Sequence, residues 1–547
     1  MTFPSKSRSS SPSVRAETMI HNESSLAGLA LALIGHDRDL SPEEQLLSVD
    51  APKPPARVLA VTKGLIGAGD DPLGEIFCQL RSPQVRRLYG ATYTPKTVID
   101  AMIAWADEQA IRPTRIVDPG AGSGRYLSAA ANRFPDARLV AIEIDPLAAL
   151  ILRANAYVLG FAHRLTVFVK DYRAIKLPRI PGSTLFVGNP PYVRHHEIPQ
   201  NWKNWFAKGA ASYGFKASKL AGLHLHFFLK TRELARPGDF GTFITAAEWM
   251  DVNYGSVLRE MLADGLGGAA LHLIDPKVRL FTGALTTGVI TCFRVGNRPP
   301  QFTVRTVESL DDLAPLSGGR AIEWPEIEAA PRWSIFVRQA APERREGEVE
   351  LGELFKVHRG QVTGCNAVWI AGEKARDLPN RFLHSTVTKA RDLLSAGEAL
   401  DDTTPLRKVI DLPVDLDELT SVEKKAVQAF LEWARTMKAD KGFIATHRRA
   451  WWTVGLREPA PILCTYMARR APAFVHNRAG ARHLNIAHGL YPVQPLSQIA
   501  LDEIARHLNA TASVMSGRTY AGGLVKFEPG EVSRLHIPDI SLLGASA

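Results

Sequence analysis

Between Thr94 and about Val295, short apolar runs alternate with amphipathic stretches. TRIVDPG (114–120), ARLVAIEID (137–145), LTVFVKDY (165–172), STLFVGNPP (183–191) and GTFITAAEW (241–249) are rich in β-branched and aromatic residues and stop at polar or turn-forming ones, which predicts strands. The intervals carry apolar positions at helical spacing, notably 97–110, 123–133 and 223–235, and predict helices. This alternation implies an α/β domain with a parallel sheet covered on both faces. Residues 24–88 read as mostly helical, with a break at APKPPAR. VGNRPPQ (295–301) is polar and turn-rich, and beyond it short irregular strands dominate, with helices near 421–438 and 499–516. The expected organisation is a disordered tail (1–23), a helical segment (24–88), the α/β domain (89–297), a linker (298–348) and a mixed α+β domain (349–547). No internal repeat is visible.

At 547 residues, with 45% hydrophobic and 22% charged residues, the chain can bury a core in each of two or three domains. A net charge of +10 permits a nucleic-acid partner without requiring one. Cys78, Cys292, Cys365 and Cys464 lack CxxC spacing, so neither a zinc site nor a disulfide framework is expected, and the thiols suit a reducing cytoplasm. The apolar run Leu26 to Gly35 is too short to span a bilayer. His21, Asn22 and Glu23 precede it and no A-x-A site follows closely, so it reads as a core helix and not a signal. The polar start MTFPSKSRSSSPSVRAE reads as disordered, and Met19 is an alternative start.

RIVDPGAGSGRYLSAAA (115–131) is a strand, a glycine turn and a helix. Gly120, Gly122 and Gly124 let backbone approach a ligand where a Cβ would clash. No Lys-Ser/Thr pair follows, so this is not a P-loop. Asp118 stands at the strand tip, placed to accept hydrogen bonds from a cationic group. About twenty residues on, Glu143 ends the next strand at a spacing that suits an acid accepting two ribose hydroxyls. Asp145 reads as a turn or cap residue. Asp171 ends a third strand, where it could accept from an adenine amine with Tyr172 beside the ring. Three acids at successive strand ends after a glycine turn point to a nucleoside ligand. At the fourth strand end, Asn189-Pro190-Pro191-Tyr192 forbids further pairing. The Asn189 amide oxygen and the Pro190 carbonyl would form two rigid acceptors for both hydrogens of an exocyclic amine, pre-organised for reaction.

DPGAGSG, EID, KDY and NPPY in this order resemble the amino-group DNA methyltransferases that use S-adenosylmethionine. GATYTPKTVIDAM (90–102) resembles their cofactor-methionine motif. LHLHFFLKTRELARPGDFGTFITAAEWM, DVNYGSVLREML and RLFTGALTTGVI continue the likeness over roughly 88–297. The motif order is that of the gamma class, the N6-adenine type. VHRGQVTGCNAVWI (357–370) and GRTYAGGLVKFEPGEVSRLHIP (517–538) resemble the opening and closing segments of that family's target-recognition domain.

The resemblance implies a Rossmann-like catalytic domain with a C-terminal target-recognition domain. It also implies that Tyr93 and Thr94 lie near the cofactor's methionine portion and Asp118 near its amino group. The glycine turn, Glu143 and Ile144 would meet the ribose region, and Asp171, Tyr172 and Phe227 the adenine. Asn189, Pro190 and Pro191 would hold the target amine, while Tyr192 and Phe281 stack on a flipped base. Some relatives carry a lysine just after the Phe281 position, where Thr282-Gly283-Ala284 stand here. Thr94 could equally cap a helix that begins near Pro95.

Enzymes that methylate a glutamine amide in release factors, and some RNA adenine methyltransferases, also carry NPPY, usually in much shorter chains. N4-cytosine remains chemically open, as does a non-catalytic DNA reader. The stretch before Thr94 lacks an acid-rich nuclease core, so a restriction endonuclease would be a separate partner. Residues 441–498 hold eight Lys/Arg against one acid, Glu458, interleaved with Phe443, Trp451, Trp452, Tyr466, Phe474 and Tyr491. That pattern suits phosphate and base contact with double-stranded DNA, or a basic solvated face over an aromatic core. A monomer in the bacterial cytoplasm, with no metal and no membrane attachment, is the expected setting.

Overall fold

A computed structural model describes residues 20–35, 39–81, 94–275, 278, 280, 287–337, 347–468, 470–512, 517–520 and 524–539. Tyr93 and Phe281 lie outside the described residues. The chain divides into two compact units, 1–338 and 339–547.

In the first unit the described residues of the N-terminal segment form four helices: α1 (Glu23–Ile34), α2 (Pro42–Ser48), α3 (Ala56–Gly67) and α4 (Pro72–Leu80). The proline-rich stretch between α2 and α3 breaks the helical run as its composition predicts. Ile20 is buried among the N-terminal helices and Asn22 caps α1, so the order begins before the expected tail boundary at 23. Ser41 and Glu44 form a reciprocal capping box on α2, and Asp71 caps α4 ahead of Pro72.

The sheet follows: α5 (Lys96–Glu108), β1 (Pro113–Pro119), α6 (Arg125–Arg133), β2 (Arg138–Glu143), α7 (Pro146–Val158), β3 (Leu165–Val169), β4 (Ser183–Gly188), α8 (Gln200–Ser212), α9 (Leu223–Leu234) and β5 (Phe240–Ala246). Every strand and helix expected between 97 and 249 is present, displaced by a few residues at the ends. Beyond them come α10 (Ser256–Ala263), β6 (Gly268–Ile274), β7 (Gly288–Arg294), β8 (Gln301–Val307) and β9 (Arg320–Glu323). The nine strands lie in the order β3-β2-β1-β4-β5-β7-β6-β8-β9. β3 to β5 are parallel, and β7 runs antiparallel between β5 and β6.

The expected linker at 298–348 is therefore corrected. Residues 301–323 extend the sheet, β8 pairing parallel with β6 and β9 antiparallel with β8. Phe302, Val304 and Val307 are buried, so QFTVRTV is a strand that the turn-rich stretch before it disguised.

Alternation sends Ile116 and Val117 of β1 to opposite faces. The first joins a core with α5 and α6, the second a core with α8, α9 and α10. α7 is apolar on two sides. Leu152 and Ala156 pack toward the sheet, while Leu147, Leu150, Ile151 and Ala154 pack against Leu26, Leu29, Ile66 and Phe77 of the N-terminal helices. The N-terminal segment thus covers the outer face of a sheet-covering helix.

The second unit is mixed α+β. Strands 355–359, 487–492, 462–465 and 474–476 form an antiparallel sheet in that spatial order. Leu501, Ile504 and Leu508 of helix Gln498–Thr511 pack on it. A separate core gathers Trp369, Val409 and Phe430 around helix Ser421–Thr436. Cys292 and Cys464 are buried, and none of the four cysteines forms a disulfide. No helix among the described residues is long and apolar enough to cross a membrane.

Glu44 of α2 is fully buried and accepts Arg153 Nε of α7 at 2.7 Å. Removing one partner strands the other's charge, so Glu44→Ala should lose about 3 kcal/mol. Chemical denaturation of the full-length protein checks this.

Candidate active site

The carboxyl ends of β1, β2 and β4 meet at one edge of the sheet. After β1, the N–H groups of Gly120 and Ala121 donate to the Ile142 carbonyl at 2.7 and 3.0 Å, which folds the turn back against the end of β2. Gly120, Gly122 and Gly124 adopt φ of 93°, 55° and 87°, the left-handed region that glycine tolerates best. At Gly124 space is short as well, because a Cβ would stand 2.8 Å from Leu152 Cγ.

Glu143 terminates β2 and accepts the N–H of Gly122 at 2.8 Å and of Asp145 at 2.9 Å. Burial raises its carboxyl above the ordinary range against the pull of these bonds. Asp145 is a cap, accepting Leu147 N–H at 3.0 Å at the start of α7. Asp118 is fully buried, and neither carboxylate oxygen has a hydrogen-bond partner among the described residues. Burial first, and the Glu143 charge second, push it well above the usual carboxylate range.

Asp171 follows β3. Its carboxylate takes the Arg173 guanidinium through Nε at 2.9 Å and Nη2 at 2.6 Å, and that guanidinium lies over the Trp202 ring. Tyr172 is buried and shares a 3.0 Å hydrogen bond with Thr231, its ring centroid 5.1 Å from that of Phe227.

At the end of β4, Asn189 Nδ2 donates to Thr94 Oγ1 at 3.0 Å, and Tyr126 donates to the same oxygen at 3.4 Å. The capping alternative for Thr94 is corrected: Pro95 holds the cap position without a side-chain bond, and α5 starts at Lys96. Thr94 is instead the acceptor that fixes the rotation of the Asn189 amide.

A cavity of about 280 Å³ opens here. Thr94, Gly120, Gly122, Glu143, Ile144, Asp171, Tyr172, Asn189, Pro191 and Phe227 line it. Ten residues scattered over 134 positions of sequence thus share one wall. Asp118, Gly124, Pro190 and Tyr192 are not part of that lining. Asp118 lies beneath Gly188, and Tyr192 packs against the core on the α5 side of the sheet. Phe77, Arg81, Ser123, Arg125 and Tyr126 also line the cavity and were not expected. Asp70-Asp71-Pro72 is a pattern that suits a capped helix start, but nothing local ties that helix to a turn some fifty residues on.

Residues 184–272 match the Eco57I restriction-modification methylase family, and residues 341–546 match the C-terminal domain of the type II methyltransferase M.Eco57I. The chain is 52% identical over 536 residues to the type II methyltransferase M.XamI of Xanthomonas campestris pv. amaranthicola, a match spanning 96% of this chain and 100% of that protein. The chain belongs to the type II methyltransferases. A more distant member, M.AccI of Acinetobacter calcoaceticus, is 22% identical over 477 residues, 84% of this chain and 87% of that one. The type IIL restriction-modification enzyme MmeI, solved in complex with DNA, shares the fold at a TM-score of 0.57 and 12% identity over 89% of this chain and 76% of that one.

As a type II methyltransferase, the protein is a DNA methyltransferase of restriction-modification type that uses S-adenosylmethionine. The site fits that cofactor. A buried carboxylate with no partner calls for a cation. Beside it stand a glycine turn, a second acid and the Tyr172 and Phe227 rings in tilted contact.

This fit has a pH signature. Asp118 has a folded-state pKa above its unfolded one, so the native state without cofactor holds the extra proton. Stability from this group therefore falls as pH rises from the ordinary carboxylate range through the raised value. Asp118→Asn should remove that slope, stabilise the cofactor-free protein near neutral pH and weaken S-adenosylmethionine binding. Denaturation across pH with and without cofactor reads all three; an unchanged slope contradicts the assignment.

Proposed function

We propose that the protein methylates N6 of an adenine flipped out of double-stranded DNA. The observation that carries this reading is Asn189 at the end of β4, on the cavity wall, with its amide N–H given to Thr94. The amide oxygen is then the end that accepts. With the Pro190 carbonyl it can take both hydrogens of an exocyclic amine. Two accepted bonds draw the nitrogen lone pair out of conjugation with the ring, which makes N6 nucleophilic. Pro190 and Pro191 hold these acceptors without reorganisation.

When bound, S-adenosylmethionine supplies an electrophilic methyl on its sulfonium. Asp118 and Thr94 hold its amino-acid end, Glu143 its ribose, and Asp171 its adenine, the carboxylate exchanging its bonds to Arg173. Tyr172 and Phe227 face the purine. An amide side chain is no base, so the surplus proton on N6 leaves to solvent after transfer. Unstacking the target costs roughly a few kcal/mol. Stacking on Tyr192 offsets about 1–3 kcal/mol of it.

The second unit supports DNA contact. Arg449, Arg457 and Arg470 are exposed, and among the six aromatics of this stretch Phe443 is exposed, at 74%. The others serve the fold: Trp452 donates to the Pro413 carbonyl, Tyr491 to that of Glu458, and Phe474 is fully buried. Arg478 and Arg482 are likewise spent on Asp502 and Glu458. The chain acts as a monomer in the bacterial cytoplasm, beside a separately encoded restriction endonuclease.

Expression of wild type and Asn189→Ala in cells lacking DNA methylation, followed by single-molecule sequencing, tests this. N6-methyladenine at one short motif is expected from wild type alone. N4-methylcytosine would overturn the choice of base, and unmodified DNA alongside folded wild-type protein would overturn the reading.

A further inference from the structure

We propose that Asp71, in the N-terminal helical segment, is a positioning residue for both halves of the methyl-transfer site. It fixes the glycine turn that faces the cofactor and, through Arg125 and Thr94, the amide of Asn189. The inference rests on the cavity being the S-adenosylmethionine site.

Asp71 comes before the first strand of the sheet. Capping α4 asks only that its Oδ1 accept Gly74 N–H, which it does at 3.0 Å. Three further donors converge on the same carboxylate. Oδ2 accepts Ser123 Oγ at 2.5 Å and Arg125 Nε at 2.7 Å, and Oδ1 accepts Asn155 Nδ2 at 3.2 Å. Ser123 and Arg125 flank the last glycine of the turn; Asn155 belongs to α7. The Asn155 amide also donates to the Ser123 carbonyl at 2.9 Å, closing the link between turn and helix.

Two arms leave this hub. In one, Ser123 is held next to Gly122, whose N–H sets the Glu143 carboxylate. In the other, Arg125 Nη1 donates to the Thr94 carbonyl at 3.3 Å, and Thr94 Oγ1 receives the Asn189 amide. The Asp71 side chain is 11% exposed, so solvent screens these charge-assisted bonds little. Farther along, Phe77 and Arg81 reach the cavity wall, and Arg81 pairs with Asp145. The helical segment is thus a built wall of the site.

The decisive variant is Asp71→Ser in the full-length protein. Serine keeps a good helix cap but gives up the carboxylate that Ser123, Arg125 and Asn155 share. S-adenosylhomocysteine binding is measured by calorimetry, DNA binding by anisotropy, and methylation by steady-state kinetics. We expect the S-adenosylhomocysteine Kd to rise about tenfold, the loss of a hydrogen bond to a charged group. kcat should fall several-fold, with DNA affinity unchanged. An Asp71→Ser protein that binds S-adenosylhomocysteine as wild type does would overturn the proposal, because capping alone would then explain Asp71. Should that variant not fold, Asn155→Ala removes one bond to Asp71 and one to the turn without touching the cavity wall. Its Kd must then rise about threefold or more, and an unchanged value would likewise overturn the proposal. Wild type that fails to bind S-adenosylhomocysteine would instead unseat the cofactor reading itself.

Discussion

A carboxylate without a partner, sealed under the end of a strand, is the constraint around which this site is arranged. Asp118 has that position because Gly188 lies over it: a Cβ on Gly188 would stand 2.5 Å from Asp118 Oδ1. Burying a charge this way costs stability unless something cationic answers it. The surroundings make the cost larger, since Glu143 sits close enough to repel it. Burial meets that cost by keeping the carboxyl protonated, and a buried titratable group of this kind beside a cavity is characteristic of a binding site.

The rest of the unit holds that edge still. Parallel strands covered on both faces fix the backbone of β1, β2 and β4, so their last residues differ in chemistry but little in freedom. The glycine turn is pinned three times, by the Ile142 carbonyl, by Glu143 and by Asp71. On the far side, Asn189 is locked through Thr94, which Tyr126 also engages. The glycine turn and the Asn189 amide therefore share supports, and Arg125 and Thr94 stand between them.

Much of this was legible in the sequence because the signals were local. Each strand end carried its own marker, an acid or a proline pair, and the apolar runs before Asp118, Glu143, Asp171 and Asn189 set their places. What the sequence concealed was non-local. Asp71 looks like an ordinary cap, and its meeting with Ser123 depends on how α7 carries the N-terminal helices. Arg173 competes for Asp171 from two residues away, yet only the fold shows that its guanidinium is parked on Trp202. β8 was lost behind the prolines at 299 and 300, although its apolar alternation was in plain view. In the second unit, the basic and aromatic pattern blended two roles: Trp451 and Phe474 build cores, and Phe443 faces solvent.

The strand order has a consequence for synthesis. β7 occupies the slot between β5 and β6, so β5 keeps one edge bare until residues 288–294 have left the ribosome. All seven residues of β5 are buried in the finished sheet, and an apolar edge of this kind is a template for pairing with another chain. The gap between the two strands, 247–287, is about 40 residues, a few seconds of translation at about 5–20 residues per second. Over that interval a nascent chain already carries every described wall of the cavity, while the strand beside β4 still lacks its second partner.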